Sequence, residues 1–522
     1  MRNYLNTGKF IAFLNARYIL LLILCLGFFL RIYQLDSLPG EIWGDVIEGY
    51  RFSEQILIGE WPFYFVLGNG PLFFYIGAIF YKLFGLSFIT LKLTSVFLGM
   101  ILLIVTYFLT KEVFNERIAL LTVFLLAVSK WAIIFSRLGT MNILVPVFAA
   151  LIFYFFFRVV HKEELRSFVF LSLLTGIGLY NYPAFIFVPF TLCILFIYIL
   201  IRDRKFIFRN LGKIIISVSI FLSLSVPFLR LLPDFEVTNK NSYFGSKLFG
   251  GTGNRTGSLP EQFVINTVNS FAMFHFKGDE IFRVNVKNQP QLDLLSGIFL
   301  LIGIVYLVNE KKWRKYAFYL ITPFLVLQLP SILVLNFPAE TPSATRSIGI
   351  LPFLYIFVAL GIHFSLTKLV KAYKFVYLAI ILVLIMVFNV KSVFVDYEQG
   401  LPNRNTPFGK IIAREIENLP ITTNIYMFGC CWGEWGHPDS DNIRYVLKNK
   451  RDIITDLLPV YESDKSCYSL ETLIKLGEKA YIIVDPRSDY VKNKIRDCYP
   501  KGNEETIYAN GFTVAWEYKI AQ

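Results

Sequence analysis

Long runs of hydrophobic residues without a charged side chain dominate the first three quarters of the chain. A run at 118–136 contains only Lys130 as a charged residue. The runs that contain none are 18–30, 93–110, 138–157, 167–201, 214–229, 294–309, 316–339, 347–367 and 375–390. A transmembrane helix needs about 20 mostly apolar residues, so each run predicts a crossing of a bilayer. The run 167–201 is too long for one crossing, and Gly178 and Pro183 interrupt it, which predicts two helices there.

The Lys and Arg residues between these runs indicate how the chain is threaded. Basic clusters lie at 2–17, 111–117, 158–166, 202–213, 311–315 and 368–374. Cytoplasmic loops carry the excess of Lys and Arg in membrane proteins. About eleven crossings place every cluster in the cytoplasm, together with the N-terminus. The main outer loops are then 31–87 and 230–290, and the tail lies outside.

One charge-free stretch, 61–81, competes with this threading. If it crossed the membrane, the basic clusters at 202–213 and 311–315 would fall outside, against the usual bias of loop charge. We therefore place residues 71–84 in the membrane interface or in a re-entrant segment. The aromatic residues Trp61, Tyr64, Tyr75 and Tyr81 suit that depth.

Composition supports an integral membrane protein and excludes several other classes. The 522 residues are 55% hydrophobic, 17% aromatic and 17% charged, with a mean hydropathy of +0.55. Such a chain is too apolar for an ordinary water-soluble enzyme or a disordered scaffold. The net charge of +13 does not indicate nucleic-acid binding, because residues 1–394 carry +16 and residues 395–522 carry −3. We expect membrane lipids as partners, no nucleic acid, and a location in the plasma (inner) membrane of a prokaryote.

The tail, residues 395–522, has the mixed charge and short apolar segments of a small soluble α/β domain outside the cytoplasm. We therefore divide the chain into a membrane module, 1–394, and this domain. Strands are predicted at 424–428, 480–485, 505–509 and 513–520, and helices at 408–418, 441–448 and 470–476.

Four of the six cysteines lie in this tail, at Cys430, Cys431, Cys467 and Cys498. An even number in an oxidising compartment predicts one or two disulfides. A zinc site with four thiolates is the alternative, although adjacent Cys430 and Cys431 lack the usual C-x₂-C spacing.

The first outer loop contains the main candidate for chemistry. Asp45 follows Gly44 and precedes an amphipathic stretch, so it is placed to cap a short helix, with Glu48 completing a capping-box pattern. That structural reading competes with a functional one. Charged residues held at a membrane boundary are the usual place to look for function in such a protein.

The segments that follow Asp45 distinguish the two interpretations. Together with Asp45, they resemble the membrane-embedded GT-C glycosyltransferases, in particular the family 39-like branch of protein O-mannosyltransferases and lipid A aminoarabinose transferases. The segments occur in order at 59–62, 70–75, 83–87, 91–95, 112–114, 127–131, 135–139 and 178–183. The resemblance covers roughly residues 18–370 and implies a GT-C-like polytopic helical fold.

The resemblance also implies a reaction. Members of the superfamily transfer a sugar from a polyprenyl-phosphate carrier to a lipid, glycan or protein acceptor on the non-cytoplasmic side. An acid in the first outer loop is their catalytic base, and Asp45 takes that position here. The family's second acid is replaced by Val46, and Glu48 lies one turn further on. The second outer loop lacks the carboxylate that holds a metal in related oligosaccharyltransferases, which argues for chemistry without a metal or other cofactor.

The expected reaction needs cations as well as a base. A lipid phosphate is a good leaving group, and Arg binds phosphate oxygens with its planar fork. Arg137 and Arg346 lie at predicted outer helix ends, although lipid headgroups are an alternative partner for both. The other expected substrate contacts are Tyr50, Tyr180, Tyr182 and Lys82. For Tyr180 and Tyr182, the alternative is a place in the belt of aromatic residues at the membrane interface. For Lys82, the alternative is contact with a lipid headgroup.

Two other functions remain open at this point. A transporter or lipid flippase would bury charges near the membrane midplane and show repeated halves. An O-antigen-type polymerase or ligase would place its largest outer loop in the middle of the chain.

The glycine-rich loop at 230–290 lacks the Gly-Lys-Ser/Thr ending of a phosphate-binding P-loop. Its composition suits a mobile cover over an active site.

Overall fold

The computed structural model describes residues 2–41, 45–65, 69–231, 253, 255, 257–428, 440–447, 452–455, 467–474 and 479–520. The described chain forms two compact units. The larger unit contains residues 1–35 and 52–397, and the smaller unit contains residues 36–51 and 398–522. Helix α2 therefore contributes its first turns to the smaller unit and its last turns to the larger one.

The described part of the larger unit is mainly helical. Its α-helices, with the whole of α2 included, are α1 Arg2–Ile32, α2 Asp45–Leu57, α3 Leu72–Phe84, α4 Phe88–Val113, α5 Glu116–Val128, α6 Lys130–Phe135, α7 Leu144–Lys162, α8 Leu165–Gly178, α9 Phe187–Arg202, α10 Arg204–Arg209, α11 Leu211–Leu231, α12 Leu259–Ala272, α13 Leu294–Asn309, α14 Ala317–Val326, α15 Leu329–Ile332, α16 Leu351–Thr367 and α17 Lys374–Lys391. A π-helical turn, Ser392–Tyr397, continues α17.

Polar side chains set several helix starts inside otherwise apolar sequence. Ser87 and Thr90 form a reciprocal capping box at α4. The Asn115 side chain accepts the first free amides of α5, and the Ser129 hydroxyl accepts the amide of Ala132 at the start of α6. The apolar run 118–136 is consequently two helices that meet at Ser129.

The predicted number of about eleven crossings is not confirmed. Among the described residues, six helices are long and apolar enough to cross a membrane, or seven if the bent pair Leu294–Asn309 and Arg314–Ile332 forms one span. Several predicted crossings are shorter pieces, such as α5 with α6 and the 14-residue α8. At about 1.5 Å per residue, α8 is about 21 Å long, shorter than the hydrocarbon core of a bilayer.

Helix α16 lies at the centre of this unit, because every residue from Leu351 to Ile362 is buried. It packs on α13 through glycines. A Cβ atom at Gly303 would lie 1.8 Å from the carbonyl oxygen of Phe357, and one at Gly361 would lie 2.0 Å from that of Phe299. Small residues allow membrane helices to approach to backbone contact in this way.

The smaller unit contains a mixed five-stranded sheet in the order β2-β1-β3-β5-β4. Its strands are β1 Asn424–Phe428, β2 Ile453–Ile454, β3 Ala480–Val484, β4 Asn503–Ala509 and β5 Phe512–Ile520, and its helices are α18 Glu398–Gly400, α19 Phe408–Glu417, α20 Ser440–Val446, α21 Tyr468–Leu473 and α22 Asp489–Cys498. Strands β2, β1 and β3 run parallel, and β5 is antiparallel to both β3 and β4. Apolar clusters cover both faces of the sheet.

The seven predicted elements of the tail are present, with ends shifted by three residues at most. Strand β2 and helix α22 were not predicted. Cys467 and Cys498 form a disulfide, so one bond of the expected one or two is present; the sequence did not predict which cysteines pair. Cys430 and Cys431 lie outside the described residues.

Candidate active site

Arg346 lies in a short connection between the 3₁₀ turn Pro338–Glu340 and the turn Ile348–Ile350 that leads into α16. Its side chain is 12% exposed and forms an ion pair with the Glu340 carboxylate. Nη1 also donates to the Glu340 carbonyl at 3.1 Å, and the Arg346 amide donates to the Ser343 hydroxyl at 3.3 Å. The guanidinium is therefore held in one orientation by its own loop.

Asp279, a residue not predicted from the sequence, anchors the same connection. Its carboxylate accepts the amide of Ile281 at 2.8 Å and the amide of Ala344 at 2.7 Å. Burial raises the pKa of Asp279 to about 6, against the opposing effect of these two amides and of nearby Arg346 and Arg283. A buried carboxylate thus ties the loop 277–291 to the segment that carries Arg346.

Ser331, at the broken helix α15, holds the connection from a third direction. Its hydroxyl accepts the amide of Ser343 at 2.9 Å, and its carbonyl accepts the Thr341 hydroxyl at 3.1 Å. All three residues are buried. Residues 341–346 are consequently fixed by polar contacts although they form no regular element.

Arg137 follows α6 and is 2% exposed. Its guanidinium donates to the carbonyls of Leu30, Arg31 and Gln34 at 3.0–3.1 Å. It also lies over the ring of Phe394 at 5.3 Å. These donors satisfy carbonyls at the end of α1, which have no partner within the helix, so Arg137 acts as a cap for that helix. Its predicted phosphate contact stays a prediction.

The remaining candidates of the larger unit are distributed over two places. The Tyr180 hydroxyl donates to the Leu224 carbonyl at 2.7 Å, and its backbone carbonyl accepts the Leu72 amide at 3.2 Å. A Cβ atom at Gly70 would lie 2.1 Å from that carbonyl oxygen, so only glycine fits there. Tyr182 follows two residues later, at the start of the turn Pro183–Ile186. Lys82 is exposed in the last turn of α3.

Asp45, Glu48 and Tyr50 belong to the smaller unit. Helix α2 begins at Asp45, as predicted, while the Asp45 side chain and residues 42–44 lie outside the described part of the chain. The Glu48 carboxylate accepts from Arg51 at 2.7 Å. Tyr50 is 7% exposed, with its ring stacked on that of Tyr445 at 3.9 Å.

Further contacts within the smaller unit hold the loop that precedes α2. The Glu41 carboxylate accepts the Gly409 amide, and Asp36 forms an ion pair with Lys410 at 2.9 Å. The Asn405 side chain donates to the Ser37 carbonyl and accepts the Gly40 amide, both at 2.7 Å. Within α2 itself, Arg51 forms an ion pair with Asp441 of α20.

Among the described residues, no group of three or more His, Cys, Asp or Glu side chains is arranged to hold a metal ion. The carboxylates of Glu340 and Asp279, both near Arg346, are engaged by hydrogen bonds or ion pairs.

Comparisons with known proteins identify the fold. Residues 68–230 match the family model described as dolichyl-phosphate-mannose-protein mannosyltransferase. ArnT from Cupriavidus metallidurans, solved bound to undecaprenyl phosphate, superposes with a TM-score of 0.58 at 13% identity, covering 96% of this chain and 97% of that one. The chain has a GT-C-like fold. It is an integral membrane protein of that fold, with the apolar helices described above.

A second similar structure supports the same fold. The archaeal oligosaccharyltransferase AglB from Archaeoglobus fulgidus, solved with an inhibitory peptide and a dolichol-phosphate, gives a TM-score of 0.53 at 14% identity. The superposition covers 97% of this chain and 74% of AglB. No curated protein sequence matches the chain.

Four residues around the candidates were not predicted: Asp279, Glu340, Asp441 and Tyr445. Their sequence signals are weak, since each lies in a polar stretch where a charged or aromatic side chain is ordinary. Asp279 carries the clearest signal, because it follows Gly278 directly in the loop that precedes α13.

Proposed function

We propose that this protein is an inverting glycosyltransferase that moves one sugar from a polyprenyl-phosphate donor to an acceptor hydroxyl. The match of residues 68–230 to a family of lipid-phosphate-dependent mannosyltransferases carries the proposal. The GT-C fold over nearly the whole chain supports it. The acceptor is a lipid, a glycan or a protein, and the reaction occurs on the side opposite to the cytoplasmic N-terminus, in the plasma membrane of a prokaryote.

In the proposed reaction, the acceptor oxygen attacks the anomeric carbon from the face opposite to the phosphate. The bond from that carbon to the phosphate oxygen breaks as the new glycosidic bond forms, and polyprenyl phosphate leaves. The acceptor proton passes to Asp45, which acts as the general base. Glu48 is engaged by Arg51, so we assign the proton transfer to Asp45 alone and a supporting role to Glu48.

Arg346 stabilises the departing phosphate in this mechanism. Preorganised cations are effective because they need no reorientation as negative charge develops. The contacts of Arg346 with Ser343 and with Glu340 support that role, since they orient the side chain before any ligand binds. When the donor binds, its phosphate exchanges with the Glu340 carboxylate as the anionic partner of the guanidinium.

The other candidates take secondary roles in the proposal. Tyr180 and Tyr182 contact the sugar, Tyr50 supports the helix that begins at Asp45, and Lys82 contacts a phosphate or headgroup near the membrane surface. Arg137 keeps the end of α1 in place. No metal or other cofactor takes part.

The test uses the purified full-length protein in liposomes with a radiolabelled polyprenyl-phosphate sugar and a mixture of acceptors from the source membrane. We expect label to appear in an acceptor together with an equal amount of free polyprenyl phosphate. Arg346→Gln should lower the rate about 10- to 100-fold, because a hydrogen bond to a charged group contributes about 1.5–3 kcal/mol. Arg346→Lys should retain part of the rate, because the charge remains but the fork is lost.

Arg314→Gln is the matched control, because Arg314 is exposed in a loop of the same unit. Its rate should equal that of the wild type. Movement of intact donor across the bilayer without transfer of its sugar would identify a flippase instead. Polymerisation of lipid-linked sugars without a separate acceptor would identify a polymerase.

A further inference from the structure

Helix α12, Leu259–Ala272, buries three polar residues on one face. Gln262, Asn266 and Ser270 follow one another at intervals of four residues and are at most 4% exposed. This spacing places them along one side of the helix. The buried side of α12 is thus the polar one.

Beyond the exposed Glu261 in its first turn, the exposed side of α12 is apolar. Val264 and Val268 are 60% and 62% exposed, and three further residues, Leu259, Phe263 and Ile265, are about two-fifths exposed. The one hydroxyl nearby, that of Thr267, donates to the Phe263 carbonyl of its own helix at 2.7 Å. It therefore needs no water molecule as a partner.

The buried polar side chains satisfy backbone groups that the broken helix α15 releases. The Asn266 amide nitrogen donates to the carbonyls of Ile332 and Val334 at 2.9 and 3.0 Å, and its oxygen accepts from Gln262 at 2.8 Å. The Ser270 hydroxyl contacts that of Ser331 at 3.2 Å. Carbonyls at a helix end have no partner within the helix, and in hydrocarbon they must find one in the protein.

A helix on a protein in water has the opposite arrangement, with its apolar side toward the core and its polar side outward. The reversed polarity of α12 indicates an apolar medium around it. The apolar helix α13, the next helix in the chain, has similar exposed residues: Leu294, Leu301 and Val305 are each more than half exposed. With 14 residues, α12 is about 21 Å long and too short to cross the hydrocarbon core.

We propose that α12 is embedded in the membrane with Val264 and Val268 facing the acyl chains of bilayer lipids, rather than lying in the aqueous outer loop that the sequence predicted. In that position it seals the break between α15 and the segment 333–346 against hydrocarbon. Ser331 links this seal to the connection of Arg346, since its hydroxyl contacts both Ser270 and the amide of Ser343. The proposal does not depend on the chemistry of sugar transfer.

The test is the accessibility of nitroxide spin labels in the full-length protein reconstituted into liposomes. Labels are attached to cysteines introduced as Val264→Cys and Val268→Cys, with Cys25, Cys193, Cys430 and Cys431 replaced by serine. Collision with oxygen, which concentrates in hydrocarbon, is compared with collision with a water-soluble nickel chelate. Val264 and Val268 are both exposed, so a label at either position should not disturb packing. With two positions, the test still works if one variant does not fold.

Two matched controls calibrate the result. Val305→Cys reports an exposed position on the apolar helix α13, and Glu280→Cys reports an exposed polar position in the loop after α12. We expect labels at 264 and 268 to match position 305, with a ratio of oxygen to nickel collisions several times that at position 280. A ratio equal to that at 280 would place α12 in water and overturn the proposal. Low collision with both reagents would show that a second copy or another protein covers the face, and would overturn it as well.

Discussion

The first turns of α2 should open more often when Tyr445 is truncated. Tyr50 is stacked on Tyr445 at 3.9 Å with an interplanar angle of 27°, and only 7% of Tyr50 remains exposed. The perturbation is Tyr445→Ala, which removes the ring from α20 and leaves the ion pair of Arg51 with Asp441 in place. It thus separates the stacking contact from the charge contact.

The size of the effect follows from the contact that is lost. An aromatic pair contributes about 0.5–1.5 kcal/mol beyond its buried area. A loss of about 1 kcal/mol raises the equilibrium constant for local opening about fivefold. Hydrogen exchange of amides in residues 46–51 should accelerate by that factor, since exchange from a local opening follows its equilibrium constant.

The assay is hydrogen exchange of the purified protein followed by mass spectrometry. Tyr508→Ala is the matched control, because Tyr508 is 71% exposed on β4 of the same unit. Exchange in 46–51 should be unchanged in that variant. If Tyr445→Ala accelerated exchange in 440–446 alone, the stacking contact would not hold α2, and the reasoning would be wrong.

Three further predictions follow from single contacts. The pKa of Asp279 is raised to about 6, so its ionisation disfavours the folded state. The stability of wild type relative to Asp279→Asn should therefore fall by about 2 kcal/mol as the pH rises from 4 to 7 in denaturant unfolding, and a constant difference would contradict this. Ser331→Ala leaves the buried Ser343 amide without its acceptor and should lower the unfolding free energy by about 1–3 kcal/mol; an unchanged midpoint would refute the assigned bond. Replacing Cys467 and Cys498 by serine opens a loop of 31 residues and should cost the C-terminal domain about 4 kcal/mol in calorimetry, whereas an unaltered transition would show that the bond contributes no stability.

The apolar pattern predicted where helices lie better than how they are divided. Most apolar runs contain a helix, because no other single segment satisfies its backbone in hydrocarbon. The break at Ser129 depends on distant partners. The Lys130 ammonium donates to the Pro290 carbonyl at 2.7 Å, and its amide donates to the Asn389 side chain at 2.8 Å. These partners are 160 and 259 positions away in the sequence, so the local sequence pattern could not predict the break.

The C-terminal domain was more predictable because its strands are short apolar runs between polar turns. Helix α22 was missed because it is mostly polar and buries only Val491 and Ile495, which are four positions apart. The inclusion of residues 36–51 in this domain was also missed. These residues are assigned to the domain by tertiary contacts, such as that of Tyr50 with Tyr445, between segments almost 400 positions apart in the sequence.

The candidate site was predictable only in part for the same reason. Asp45 and Arg346 were proposed as candidates because they are charged residues beside apolar runs, and their roles stay predictions. The side chains that hold the Arg346 connection were not, because the role of Asp279 depends on its burial and on the amide of Ala344. Burial of a loop carboxylate is a property of the folded chain and has no signature in the local sequence.

The central claim, transfer of a sugar with Asp45 as the base, is tested most directly by the initial rate of transfer from labelled polyprenyl-phosphate sugar in liposomes containing wild type, Asp45→Asn or Asp36→Asn. Asp36 lies in the same loop and is 72% exposed, which makes it the matched control. General-base catalysis contributes about 10²- to 10⁴-fold, so Asp45→Asn should lose at least about 100-fold while Asp36→Asn keeps the wild-type rate. Transfer by Asp45→Asn at the wild-type rate would contradict the account.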